Sequence, residues 1–243
     1  MTVWYNEDLA YIHDVGFRDY ALKSAPGIVE ILKQHQIRAG LIVDLGCGSG
    51  LSAAILHQAG YQVLGIDISE AMIAIAQTRV PTVEFRVASL FTAEIPPCAA
   101  IISIGECLSY AFDTNSDAAL DSLFQRIYHA LSPGGVFIFD VVVPGHTAPG
   151  EIVRNFTEGQ DWIVLVEKQE DSTQQMLTRR IITLRQFEDL YRRTEEVHCL
   201  RLFNRSTLAD ALRQKGFQVN ISDCYGEFSL PPARIAAIAY KPI

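Results

Sequence analysis

Residues 43–50 read Val-Asp-Leu-Gly-Cys-Gly-Ser-Gly, and the next apolar run ends in an acid, Asp67. Three glycines at alternate positions let an apolar strand enter a helix through a turn that residues with a Cβ follow poorly. Such a turn presents unpaired backbone N–H groups and the positive end of a helix dipole to whatever lies beyond it. Asp67, at the end of the second run, stands where the hydroxyls of a ribose would lie. A carboxylate only accepts hydrogen bonds, so it can take two O–H donors. Together these features point to a cofactor with an adenosine half. They also commit the stretch to a strand–turn–helix–strand unit.

The pattern continues on both sides. Residues 7–37 read as helical, with Pro26 in the first turn of a helix over 26–34, where its missing N–H costs nothing. Residues 41–45 form a short buried strand, 51–58 a helix stopped by Gly60, and 62–66 the next strand. Ser69 can cap a helix running to about residue 78. Residues 83–87 and 99–105 supply two further strands. Leu120, Leu123, Phe124, Ile127 and Leu131 fall on the stripe of an amphipathic helix over 117–131. A turn at Ser132-Pro133-Gly134-Gly135 leads into a fifth strand over 136–142. Five strands interleaved with helices imply a parallel sheet covered on both faces.

Beyond residue 150 the period changes. Residues 162–169, 176–187 and 191–203 read as three longer strands joined by turns. The helical period returns at 207–215, and strands over 217–224 and 233–240 close the chain. The expected fold is α/β: a helical segment over 1–40, a core over 41–150 and 204–243, and an antiparallel β insertion over 151–203.

Charge and composition narrow the partners. The 243 residues carry a formal charge of -8, which repels a phosphate backbone. Residues 1–150 hold 7 Lys/Arg against 15 Asp/Glu, and residues 151–205 hold 9 against 10. A basic nucleic-acid patch has room only in the second stretch, so nucleic acid is disfavoured. No apolar run approaches the ~20 residues of a membrane span, and residues 1–10 lack a signal-peptide pattern. Five cysteines without paired spacing suggest neither a disulfide framework nor a metal site, and the cytosol is the expected compartment.

The glycine spacing selects the cofactor. A dinucleotide loop, G-x-G-x-x-G, would need glycine at position 51, which is Leu51. Asp44 followed by Gly46, Cys47, Gly48 and Gly50 instead resembles the first motif of class I S-adenosylmethionine-dependent methyltransferases. Gly65-Ile66-Asp67-Ile68-Ser69 resembles that family's second motif, and the 131–138 segment resembles its turn into the fifth strand. The resemblance implies a Rossmann-like, seven-stranded, mostly parallel sheet of order 3-2-1-4-5-7-6. It also implies S-adenosylmethionine as cofactor, with S-adenosylhomocysteine as product. Asp44, Gly46, Cys47, Gly48 and Gly50 would face the methionyl half, Asp67 and Ile68 the ribose, and Ser89, Leu90 and Gly105 the rest. Where many members carry an acid near the adenine, this chain has Ala88-Ser89-Leu90, so Ser89 or the backbone would read that ring. The alternatives are a protein that binds the cofactor without transferring the methyl group, and a dinucleotide-dependent oxidoreductase.

The acceptor is less constrained. Residues after the fourth and fifth strands face the ligand in such sheets, which makes Glu106 and His146 candidates for acceptor contact or base. Glu106 could equally serve the cofactor or the fold, and His146 could simply be exposed. Tyr110 could wall the pocket or pack. In similar small-molecule enzymes the N-terminal segment is a lid, which would bring Tyr11 or Tyr20 to the methionyl end and His13 to the acceptor. Ordinary surface positions are the competing expectation for these residues. The insertion resembles that of small N-methyltransferases acting on amino sugars, where it shapes the acceptor pocket or builds a homodimer. Arg179, Arg180, Arg192, Arg193 and Arg201 would then either meet an anionic acceptor or form a solvated sheet face. Cys47 and Cys107 read as small packed residues rather than nucleophiles. The acceptor is expected to be a small molecule.

Overall fold

A computed structural model of the chain describes residues 4–111 and 117–243. Its main sheet contains β1 (Leu41–Leu45), β2 (Gln62–Asp67), β3 (Glu84–Val87), β4 (Cys98–Ser103), β5 (Leu131–Val142), β10 (Gln218–Ser222) and β13 (Arg234–Tyr240). The spatial order is β10-β13-β5-β4-β1-β2-β3, the order expected for the seven core strands. The five interleaved strands pair in parallel, while β13 runs antiparallel to both β5 and β10.

Alternation along the strands builds a core on each face of this sheet. Val43 and Leu45 face α5 (Asp117–Ala130) and α6 (Arg205–Gln214), which contribute Leu123, Phe124, Ile127 and Leu212. Ile42 faces the other way, toward α2 (Asp19–Gln34), α3 (Leu51–Gln58) and α4 (Glu70–Arg79), with Ile28, Leu32, Leu56 and Ile73. Ser69 caps α4 as expected, its Oγ accepting from the Met72 N–H at 3.2 Å. Pro26 does not start a helix. It lies inside α2, whose buried side continues through Ser24, Ala25, Gly27 and Ile28. Packing against the sheet outweighs the local cost of the proline there.

The insertion is a four-stranded antiparallel sheet of β6 (Ile152–Glu158), β7 (Trp162–Asp171), β8 (Met176–Phe187) and β9 (Leu190–Arg201). The strand β6 escapes sequence reading because nearly all of it is exposed, which leaves no period-2 signal. A two-stranded ribbon, β11 (Cys224–Tyr225) with β12 (Phe228–Ser229), was also not expected from sequence. Its tip rests on α2 where Gly27 has no side chain; a Cβ there would lie 2.1 Å from the Tyr225 carbonyl oxygen.

Apolar packing and backbone hydrogen bonds both hold the insertion over the core. The helix α1 (Glu7–Gly16) buries Leu9 and Ile12 against Trp162, Val164 and Ile181. At the far end, Tyr110 bridges Leu200, and the Ala111 N–H donates to the Cys199 carbonyl at 2.8 Å.

Candidate active site

The strand β1 ends in a turn held from below, since the Gly46 and Cys47 N–H groups donate to the Ile66 carbonyl at 2.7 and 3.1 Å. Gly46, Gly48 and Gly50 have φ of +80°, +52° and +76°. At Gly46 a Cβ would sit 2.4 Å from the Cys107 Sγ. At Gly48 a Cβ would meet only the Met72 Sδ, 4.0 Å away, and would project into open space. That space is a cavity of about 410 Å³ above the carboxyl ends of the parallel strands.

Asp67 closes one side. Its two oxygens accept the Gly48 and Ser69 N–H groups, each at 2.9 Å, which fixes the carboxylate at the cavity wall. Asp44 lies deeper, 2% exposed, and its Oδ2 is buried without a hydrogen-bond partner. Burial, with Asp67 nearby, pushes its carboxyl up to about 7. A buried acceptor in that position calls for a donor from a ligand. Ile68, Met72, Ala88, Ser89 and Leu90 complete this half of the wall.

The other half is built from distant parts of the chain. Gly105 and Glu106 both take positive φ, +92° and +62°. Asp140 of β5, fully buried, holds them there by accepting their N–H groups at 2.9 and 2.7 Å. The Glu106 side chain points between Arg179 and Arg234; Arg234 Nη2 lies 2.7 Å from its Oε2 and Arg179 Nη2 3.1 Å. Burial alone would raise the Glu106 carboxyl. The two guanidiniums outweigh it and hold the group down at about 2. Tyr20 lies under Arg234, whose guanidinium carbon is 4.6 Å from the ring centroid.

A strap of N-terminal residues covers the top. The Tyr5 and Asn6 N–H groups donate to Glu196 of β9 at 2.9 Å each. The Tyr5 carbonyl accepts from the Ser69 Oγ at 2.8 Å, and the Tyr5 hydroxyl bonds that of Tyr110 at 2.7 Å. Arg79 ties α1 to the glycine loop: it grips Asp14 with bonds of 2.7 and 2.9 Å and also donates to the Ser49 carbonyl. His13 of α1 lines the cavity beside Tyr5, and burial lowers its pKa.

Most of the expected site residues converge on this cavity. Asp44, Gly46, Cys47, Gly48, Asp67, Ile68, Ser89, Leu90, Gly105, Tyr20, Glu106 and His13 all line it. Three do not. Gly50 packs its backbone against Ala76 as the left-handed cap of α3. Tyr11 points to the insertion, donating to Asp161 at 3.0 Å under the Arg185 guanidinium. His146 lies outside the lining, its backbone N–H donating to Glu170 at 2.8 Å. Glu106 does line the cavity, but two cations stabilise its carboxylate and make it a poor proton acceptor. Cys47 and Cys107 are thiols, held neutral by burial.

Sequence reading missed Trp4, Tyr5, Lys168 and Arg234 in the wall, and Asp140 beneath it. Asp140 had a signal: an acid inside the apolar run 136–142 must be hydrogen-bonded if buried. The others carry no local mark.

Residues 42–135 match the family model described as a methyltransferase domain. A protein of Geobacillus sp. strain WCH70 named as a methyltransferase is 32% identical over 142 residues, covering 56% of each chain. The chain spans about half the length of the curated relatives it matches. An S-adenosylmethionine-dependent methyltransferase structure from Clostridium acetobutylicum has a TM-score of 0.81 at 18% identity, covering 96% of this chain and 98% of that one. The sugar N-methyltransferase KedS8 from Streptoalloteichus gives 0.78 at 19%, covering 100% and 98%. Residues 42–135 thus match a methyltransferase domain, and the chain has the fold of S-adenosylmethionine-dependent methyltransferases.

Proposed function

We propose that the chain transfers the methyl group of S-adenosylmethionine to a small-molecule acceptor inside the 410 Å³ cavity. The carrying observation is the pair of carboxylates at the glycine loop, one with a partnerless buried oxygen and one fixed by backbone N–H groups at the cavity wall. An α-ammonium group would supply the donor that Asp44 lacks. Two ribose hydroxyls would donate to the Asp67 carboxylate. Gly48, without a Cβ, leaves room for the chain between them. Ser89 and the backbone around it, with Ile68 and Leu90, form the adenine slot.

The cofactor supplies an electrophilic methyl on a sulfonium, with a neutral leaving group. The protein's task is then chiefly to align the acceptor, and positioning can contribute on the order of 7–11 kcal/mol. Residues 4–40 act as the lid, held down by Glu196, Ser69 and Arg79; the first three residues of the expected lid lie outside the described residues. The inner face of the insertion, with Val164, Val166 and Ile181, is the roof of the acceptor site. Residues 41–150 and 204–243 form the cofactor-binding core. Where the acceptor arrives protonated, His13 is the base: it lines the cavity and burial keeps its imidazole neutral.

No helix among the described residues is long and apolar enough to cross a membrane. The acidic balance of the core favours a small acceptor over nucleic acid. A contact between two copies would fall on the outer face of the insertion, where Phe156 and Leu165 pair across strands and stand exposed.

The test is calorimetric titration with S-adenosylhomocysteine. Wild-type protein should bind, and Asp67→Ala should bind about tenfold or more weakly, since charge-assisted hydrogen bonds are worth about 1.5–3 kcal/mol. Equal affinity in the two proteins removes the ribose assignment. No binding to wild type removes the proposed activity.

A further inference from the structure

The acceptor end of the cavity carries a charge that its own carboxylates do not balance. Lys168 on β7, Arg179 on β8 and Arg234 on β13 all line it. Against these three cations stand Glu106, shared by the two arginines, and Asp140, whose Oδ1 is 3.9 Å from Arg234. Lys168 and Arg179 are direct cross-strand partners on the inward face. Like charges in that register repel unless an anion lies between them. Glu106 answers Arg179. Among the described residues no carboxylate pairs with the Lys168 ammonium, and burial and Arg179 both disfavour its charge.

Hydrogen-bonding capacity is unfilled in the same place. The Nε of Arg179 is buried without a partner, on a side chain only 12% exposed. Both terminal nitrogens of Arg179 already bond Glu106, so Nε is the guanidinium nitrogen without a partner. A buried unpaired donor beside an unpaired ammonium is costly, and both costs are removed by one acceptor group. Elsewhere the roof is apolar, with Val166 and Ile181 next to the two cations on the same strands.

We propose that the acceptor carries a carboxylate on a small apolar body, and that Lys168 together with the Nε of Arg179 holds it. The inference rests on the methyl-transfer reading for what happens to the acceptor, but not for the anion site itself. One surplus positive charge matches a monoanion; a phosphate dianion would leave a negative excess in a buried site. A protonated amine, such as an amino sugar, would meet like charge here.

The probes are phenylacetate and its neutral isostere phenylacetamide, titrated calorimetrically with and without S-adenosylhomocysteine. Wild-type protein should bind the acid about tenfold or more tightly than the amide. Lys168→Met should bring that ratio close to one, and Lys168→Arg should retain it. A merely structural lysine would change thermal stability but leave the acid-to-amide ratio alone. Equal binding of the two probes to wild type, binding of neither, or an unchanged ratio in Lys168→Met each overturns the proposal. Binding of S-adenosylhomocysteine is read in the same samples. Its absence, with the acid preference intact, would remove the methyl-transfer reading and leave the anion site standing.

Discussion

Replacing Glu106 by glutamine removes the one charge that two buried guanidiniums share, at almost constant shape. In the native fold burial opposes the Glu106 carboxylate, yet Arg179 and Arg234 hold it at about 2, against an ordinary 4.5. That lowering corresponds to about 3 kcal/mol of native-state stabilisation. The cost of an unmatched buried charge is of similar size. Removing one partner of a buried ion pair costs about 3–5 kcal/mol, because the other charge stays buried and unmatched. Arg179 and Arg234 are 12% and 15% exposed, so water recovers only part of that loss. The expected destabilisation of Glu106→Gln at neutral pH is therefore about 3 kcal/mol. The sign of the pH dependence follows from the lowered pKa. The stabilisation is complete above 4.5 and disappears as pH falls through about 2. The glutamine variant lacks this titration, so the gap between the two proteins should close over that window. Urea unfolding, followed by the fluorescence of the buried Trp162, measures the gap at a series of pH values. A gap under about 1 kcal/mol at neutral pH, the ceiling for an exposed pair, would refute the cluster as a buried one. So would a gap that stays constant between pH 4.5 and 2.

Two further outcomes test the cavity. Gly48→Ala should cost about 1–2 kcal/mol in unfolding experiments for its left-handed backbone, and should weaken S-adenosylhomocysteine binding by more than that strain explains, because the new Cβ enters the cavity; unchanged affinity in calorimetry would show that the loop does not press on the cofactor. With an acceptor that arrives protonated, the wild-type rate should fall on the acid side through a pKa below the ordinary 6.5 of histidine, since burial lowers that of His13 and only the neutral ring accepts a proton. His13→Gln should lose that acid limb from the pH–rate profile, and an identical limb in the variant would move the base elsewhere.

The sequence by itself determined the core sheet and the glycine-loop half of the cavity. Each depends on residues close in the chain. The Gly46–Gly50 turn follows its own strand, Asp67 ends the next one, and Ser69 caps the helix after it. Where the reading failed locally, the cause was missing or overridden local signal. The exposed strand β6 has no alternation to read, and Pro26 is carried inside α2 by burial on the sheet.

Only the tertiary structure decided the half built around Glu106. Glu106 meets Arg179 across 73 residues and Arg234 across 128, and Tyr5 reaches Glu196 across 191. No local pattern encodes such pairings. Five of the seven arginines of the insertion show the same point. Strand parity turns Arg179 inward and Arg180, Arg193 and Arg201 outward, where Arg180 and Arg193 pair with Glu195 and Arg201 with Asp117; Arg192 shares the inward face but lies beyond the cavity, on Asp8 of α1. In sequence these arginines look alike. A one-residue offset on a pleated strand sends a side chain to the opposite face, and that face exists only once the sheet is docked on the core.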